Sequence, residues 1–122
     1  MQPKIYISGK ITGLDPVVAS GNFLLVEQKL KNIGANNIYN PLKEVDQQVP
    51  YDMQMEQCLG ELRKCQMALF QQNWRDSPGA KEEFIEARKH GLHIRYDRPG
   101  DYIDIQNCFL NDQKHHICNP HY

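Results

Sequence analysis

No run in this chain approaches the ~20 consecutive apolar residues of a membrane-spanning helix, so a helical membrane protein is excluded at the outset. Charge of one sign is also missing: 14 Lys and Arg stand against 15 Asp and Glu. A protein that grips a nucleic-acid backbone carries a basic excess. The expected partner is therefore a small molecule, neither a nucleic-acid polymer nor a membrane. Cysteine is sparse. Cys58, Cys65, Cys108 and Cys118 form no CxxC pair, which predicts buried thiols acting as small hydrophobes. Cys108, His115, His116, Cys118 and His121 are metal-binding residue types without the spacing of a zinc finger or ribbon, so no metal is expected. Neither G-x-G-x-x-G nor a Walker sequence occurs, which leaves no dinucleotide or nucleoside-triphosphate motif and no expected cofactor. Met1-Gln2-Pro3-Lys4 passes straight into a strand-like run without the apolar core of a secretion signal, predicting a cytoplasmic protein.

The 122 residues suit one domain. With 40% hydrophobic and 24% charged residues the chain can build a core and is not of disordered composition. Residues 4–8 (Lys-Ile-Tyr-Ile-Ser) read as a buried strand. Gly9 and Gly13 bracket a loop, and Asp15-Pro16 opens a helix. Phe23, Val26, Leu30 and Ile33 recur at helical spacing, with Gly34 as the stop. Residues 37–40 form a short second strand, and 41–50 a polar loop with two prolines. Met55, Cys58/Leu59, Leu62 and Cys65 stripe a helix over 51–65. Residues 67–70 have strand length, and 71–78 are turn-rich. A third helix spans 79–90 and ends at Gly91, and a fourth strand spans 92–96.

This alternation predicts a three-layer α/β/α fold with a four- or five-stranded, mainly parallel, Rossmann- or flavodoxin-like sheet over residues 1–96. Ligands in such sheets bind beyond the strand carboxyl ends, where residues 8–14, 40–50 and 71–79 should gather. The pattern fades over 97–122. Tyr102-Ile103-Asp104-Ile105 alternates like a further strand, and the remainder reads as an irregular extension packed on the domain or on a neighbouring subunit.

Two segments carry chemistry. The loop Ser8-Gly9-Lys10 follows a strand, and its glycine permits close backbone approach to a ligand. Lys10 is equally suited to holding a phosphate and to standing in solvent. In Asp76-Ser77-Pro78-Gly79-Ala80-Lys81-Glu82-Glu83, small residues open a helix after a strand. Such a corner offers amides and a hydroxyl to an anion or a sugar. Glu83 then falls near the positive end of that helix, which favours its ionised form. An ionised carboxylate in a crevice is a nucleophile, although acids at helix starts are also ordinary dipole features.

The pieces Tyr6-Ile7-Ser8-Gly9-Lys10-Ile11-Thr12-Gly13, Asn40-Pro41, Trp74, Ser77-Pro78-Gly79-Ala80, and Glu83, Ala87 and Gly91 spaced by four span most of the chain. In that order the sequence resembles the nucleoside 2-deoxyribosyltransferase-like superfamily, and within it the small bacterial and phage proteins of unknown function. The superfamily also holds the 2'-deoxynucleoside 5'-phosphate N-hydrolase. The resemblance implies that Glu83 attacks the anomeric carbon, that Tyr6 orients Glu83, and that Ser77 contacts a 5' phosphate. It also implies that the site is completed by groups from a neighbouring subunit, hence a homodimer or higher homo-oligomer. Two departures stand out: Cys58 and Gln66 occupy positions where relatives carry Asp, leaving Asp52, Glu56, Asp76 or a neighbour's carboxylate as substitutes. Trp74 is placed either to stack on a base or to act as a hydrophobic lid. Strand alternation sets Tyr6 and Ser8 on the face opposite Ile5 and Ile7, and a buried Tyr6 hydroxyl needs a partner, for which Glu83 is the natural candidate.

The expected catalytic pair is Glu83 and Tyr6, with Ser8, Gly9, Lys10, Trp74, Ser77, Gly79 and Ala80 binding substrate. The expected activity is hydrolysis or transfer at the N-glycosidic bond of a nucleoside or nucleotide. The alternatives are a non-catalytic protein that binds a nucleotide-like ligand, and a phage or host accessory protein of the same fold.

Overall fold

Four strands lie in one sheet: β1 (Ile5–Ser8), β2 (Ile38–Tyr39), β3 (Met67–Phe70) and β4 (His93–Tyr96). The computed structural model describes residues 2–115, the last five as backbone only. The spatial order is β2-β1-β3-β4 and every pair is parallel. Ile5 sits opposite Ile38 on one side and Met67 on the other, and Ser8 opposite Phe70. The expected three-layer α/β/α architecture is the observed one.

The helices divide between the two faces. On one, α1 (Pro16–Asn32) and α5 (Pro99–His115) pack Phe23, Val26, Leu30, Ile105 and Phe109 over Ile5, Ile7, Met67 and Leu69. On the other, α3 (Tyr51–Arg63) and α4 (Pro78–Lys89) bring Cys58, Leu62 and Ala87 onto Tyr6, Ala68 and Phe70. Parallel connections are right-handed. Helices on opposite faces therefore send the chain in opposite directions from β1, to β2 by way of α1 and from β2 back across to β3 by way of α3. The order thus reverses between β1 and β3, and the crevice beyond their carboxyl ends is the place where open α/β sheets take ligands.

Local chemistry sets the ends of these elements. Asp15 caps α1 by accepting from the Val17 N–H at 2.8 Å, and Pro16 occupies the first helical position. Gly34, at φ +103°, makes the left-handed turn that ends α1. Residues 41–50 are not a loop throughout. Asn40 accepts from the Leu42 N–H at 3.0 Å and Pro41 follows, so a one-turn helix, α2 (Pro41–Glu44), forms there.

The larger correction concerns 97–122. Tyr102–Ile105 is not a strand, and the segment is not irregular from its start, because α5 begins at Pro99. Period 3.6 prevails over period 2 there. Ile105, Cys108 and Phe109 are buried and Tyr102 packs beside them, whereas Ile103 and Leu110 are exposed. Cys108 is disulfide-bonded, which corrects the expectation of a free thiol, while Cys58 and Cys65 are free and buried. Residues 116–122, with three of the five metal-type side chains noted above, lie outside the described residues; among those described, no group of His, Cys, Asp and Glu could hold a metal ion. No helix among them is long and apolar enough to cross a membrane.

Candidate active site

β1 carries the floor of the site. Its alternation buries Ile5 and Ile7 against α1 and turns Tyr6 and Ser8 toward α3 and α4. Tyr6 and Ser8 are both fully buried, so each hydroxyl needs a partner. That partner is Glu83 of α4 for both. One carboxylate oxygen accepts from the Tyr6 hydroxyl, and the other accepts from the Ser8 hydroxyl at 2.6 Å. The Tyr6 ring also stacks on Tyr39 of β2, with centroids 5.4 Å apart and planes 16° apart. This packs the phenol ring from the β2 side.

Glu83 is 6% exposed and sits in the second turn of α4, since the helix begins at Pro78. The expectation that the helix dipole keeps it ionised needs correcting, because that effect fades beyond the first turn. Burial dominates and raises its pKa to about 7. The Ser8 and Tyr6 hydrogen bonds pull it down and the Glu82 charge pushes it up, but neither outweighs desolvation. Burial likewise, with Glu83 next, lifts the Tyr6 phenol well above its ordinary value, so it remains a proton-bearing donor. Burial pushes the Cys58 thiol to about 11, despite its hydrogen bond with Tyr6, so it stays neutral.

Glu83 and Cys58 border a cavity of about 350 Å³, with Tyr6 and Ser8 behind Glu83 and off the wall, within the size range of small-molecule sites. All three expected loops contribute: Gly9, Ile11 and Thr12 from the first, Pro41, Val45 and Gln47 from the second, Ser77 and Pro78 from the third. Phe23, Tyr51, Gln54, Met55, Cys58, Gly79, Ala80 and Glu83 complete the wall. The first and third loops touch directly, through the Gln71 N–H to Ser8 carbonyl bond of 2.9 Å and the Lys10 N–H to Asn73 Oδ1 bond of 3.0 Å.

The glycines are there for close approach. A Cβ on Gly9 would stand 2.6 Å from the Gln71 side chain, closer than real atoms pack. A Cβ on Gly79 would stand 3.1 Å from the Tyr51 hydroxyl and 3.2 Å from Met55 Sδ. Ser77 caps α4, its Oγ accepting from the Ala80 N–H at 3.1 Å.

The structure thus brings Tyr6, Ser8, Gly9, Ser77, Gly79, Ala80 and Glu83 to one place. It does not bring Lys10 and Trp74 there. Lys10 is not on the cavity wall, and its Cε lies 3.6 Å from where a Gly13 Cβ would be, folded over its own turn. Trp74 stacks on Phe84 with centroids 4.3 Å apart and tilts against Phe70 and Tyr96. Of the two readings of Trp74, the hydrophobic one matches this packing. No residue of α5 is on the described cavity wall, so its described part does not cover the crevice.

The two departures from the resembled family separate cleanly. Cys58 lines the cavity beside Tyr6. Gln66 stands at the amino end of β3, opposite the cavity, where its Oε1 accepts from the Lys4 N–H at 2.7 Å. The proposed substitutes are not on the cavity wall: Asp52 and Glu56 border an adjoining groove that shares Tyr51 and Met55 with the cavity, and Asp76 belongs to a 3-10 turn off the wall. Glu83 is the sole carboxylate on that wall among the described residues. Tyr51, Gln47 and Gln54 were not singled out from the sequence. They lie on the loop and first turns entering α3, and no spacing rule marks such positions.

No curated protein and no solved structure matches this chain. One family model does, over residues 3–96, a stretch that runs from β1 through β4 and includes every residue on the cavity wall. On that match the chain belongs to the family described as Domain of unknown function (DUF4406).

Proposed function

We propose that this protein is an enzyme that breaks the N-glycosidic bond of a nucleoside or nucleotide, with Glu83 as the nucleophile. The observation that carries the reading is the Glu83 carboxylate, gripped at both oxygens by Tyr6 and Ser8 on the wall of the switch-point cavity. The order of motifs shared with the deoxyribosyltransferase-like proteins supports it. In the reaction a carboxylate oxygen of ionised Glu83 forms a bond to the anomeric carbon. The carbon–nitrogen bond breaks, and its electron pair leaves with the base, which takes a proton from an acid on a neighbouring copy. A water molecule, or a second base, then displaces Glu83 from the sugar and restores the carboxylate. With a pKa of about 7, a substantial fraction of Glu83 is ionised at neutral pH. Tyr6 and Ser8 hold the carboxylate in one orientation and share its charge.

A second reading is binding without cleavage. It is favoured by the neutral Cys58 thiol on the wall and by the lack of a second carboxylate there among the described residues. The enzymatic reading therefore places the acid that assists base departure on a neighbouring copy, in at least a dimer. Light scattering that finds a monomer at high concentration removes that source. The deciding experiment incubates the purified chain with a panel of ribo- and deoxyribonucleosides and their 5'-monophosphates and measures free base by chromatography. Base release that Glu83→Gln abolishes supports the enzyme. Binding of a nucleoside with no base released replaces it with the second reading.

A further inference from the structure

The phosphate state of the ligand follows from what the cavity wall can and cannot offer an anion. Among the described residues no Lys, Arg or His lines the cavity, and the single carboxyl group there is that of Glu83. An anionic ligand thus meets no opposite charge and one carboxylate of like sign, in a site partly withdrawn from water where such terms are weakly screened. The start of α4 does not make up the difference. Pro78 has no N–H, the Ala80 N–H is taken by Ser77 Oγ at 3.1 Å, and the Lys81 N–H by the Ser77 carbonyl at 3.0 Å. That leaves the Gly79 amide, on a residue so crowded that an added Cβ would stand 3.1 Å from the Tyr51 hydroxyl and 3.2 Å from Met55 Sδ. Helix starts that bind phosphate do so with several free amides aimed at one group. This one has spent most of its donors on its own cap. The rest of the wall suits an uncharged body: Ile11, Phe23, Val45 and Met55 are apolar, and Thr12 and Gln47 are neutral hydrogen-bonding groups.

We propose that the cavity takes the uncharged nucleoside and discriminates against its 5'-monophosphate. The inference rests on the nucleoside reading above and narrows it, and it departs from the phosphate contact that the resemblance implies for Ser77. The test is equilibrium binding by calorimetry on the full chain, with matched nucleosides and 5'-monophosphates at constant ionic strength. For each nucleoside that binds, the monophosphate is expected to bind at least about tenfold more weakly. Glu83→Gln, which removes the like charge while keeping the shape, should narrow that gap several-fold. Gln47→Lys, which adds a cation to the wall, should narrow it as well. A monophosphate that binds as tightly as its nucleoside, or tighter, overturns the inference and leaves the glycosidic reading standing. A gap unmoved by both variants overturns its electrostatic basis. If neither form of any nucleoside binds and no base is released, both readings fall together.

Discussion

Two glutamates in this protein have almost no exposed surface, Glu83 deep in the fold and Glu27 nearer its edge, and their surroundings differ in kind. Glu27 of α1, 4% exposed, accepts from Asn40 Nδ2 at 3.1 Å and pairs with Lys43 at 2.8 Å and Lys31 at 2.9 Å. Glu83 of α4, 6% exposed, accepts from two hydroxyls and has no cation among its hydrogen-bond partners. Burial alone would raise both pKa values. At Glu27 the hydrogen bonds from the two lysines and Asn40 outweigh it and bring the carboxyl down to about 2. At Glu83 burial wins and the carboxyl rises to about 7. A carboxylate neutralised by ammonium groups is a fastening, here tying α1 to the start of α2. One held by hydroxyls alone keeps its charge unspent, which is the condition a reacting group needs and one that costs stability.

The largest expected effect breaks the comparison at its reactive end. On a substrate that the wild type cleaves, Glu83→Gln should lower base release by roughly a thousandfold or more while ligand binding changes far less, as single-turnover and binding assays would separate. At the other end, Glu27→Ala should leave the rate constant for cleavage near wild type and lower unfolding stability in urea. Loss of a buried partner costs about 3–5 kcal/mol, but both lysines are half exposed, so a cost of roughly 1–3 kcal/mol is expected.

The pH dependence of stability should separate the two sites by sign. The folded pKa of Glu83 lies above the ordinary 4.5, so the folded state holds a proton that the unfolded chain releases. Its contribution is fully present below pH 4.5 and is lost as pH rises toward 7, by about 3 kcal/mol at the outside. The folded pKa of Glu27 lies below 4.5, so its contribution is present above 4.5 and is lost as pH falls toward 2. Urea midpoints measured from pH 3 to 8 should therefore fall in both directions, with Glu83→Gln flattening the limb between 4.5 and 7 and Glu27→Ala the acid limb. A Glu83→Gln protein with an unchanged upper limb would show that desolvation of this carboxyl is not what the fold carries.

Smaller changes sharpen the picture. Tyr6→Phe removes one hydrogen bond to the charged form, worth ~1–2 kcal/mol. It should lower turnover by about tenfold and raise the Glu83 titration midpoint, readable by carboxyl-carbon NMR. Ser77→Ala should cost about 1 kcal/mol through the lost cap of α4, a loss that Ser77→Asp restores. If Ser77→Ala instead leaves stability untouched and weakens a monophosphate selectively, Ser77 acts on the ligand rather than on its helix.

Much of this is legible in the sequence. Apolar and β-branched runs marked β1 and β3, helical spacing marked α1, and period 2 in Ile5-Tyr6-Ile7-Ser8 set Tyr6 and Ser8 on the face that meets Glu83. Capping chemistry marked Asp15-Pro16, whereas the Ser77 cap and the Pro78 start of α4 emerge only in the structure. Asn40-Pro41 was legible as a motif but not in its role. Its amide caps α2 and holds Glu27, a partner 13 residues away that no local pattern announces. α5 was misread because four residues of apparent alternation are too few to choose between periods, and only packing on α1 and the sheet chose.

The sequence by itself determined the periodicities, caps and breaks, because these depend on steric and hydrogen-bonding preferences within a few neighbouring residues. From them came the parallel sheet and the crevice at its carboxyl ends. Tertiary structure alone decided the state of each group. Which carboxylate meets ammonium and which meets hydroxyl, whether Trp74 faces a ligand or Phe84, and whether the start of α4 has amides to spare all depend on atoms brought together from distant parts of the chain. Desolvation and hydrogen bonding act over a few ångströms of space and take no account of distance along the sequence.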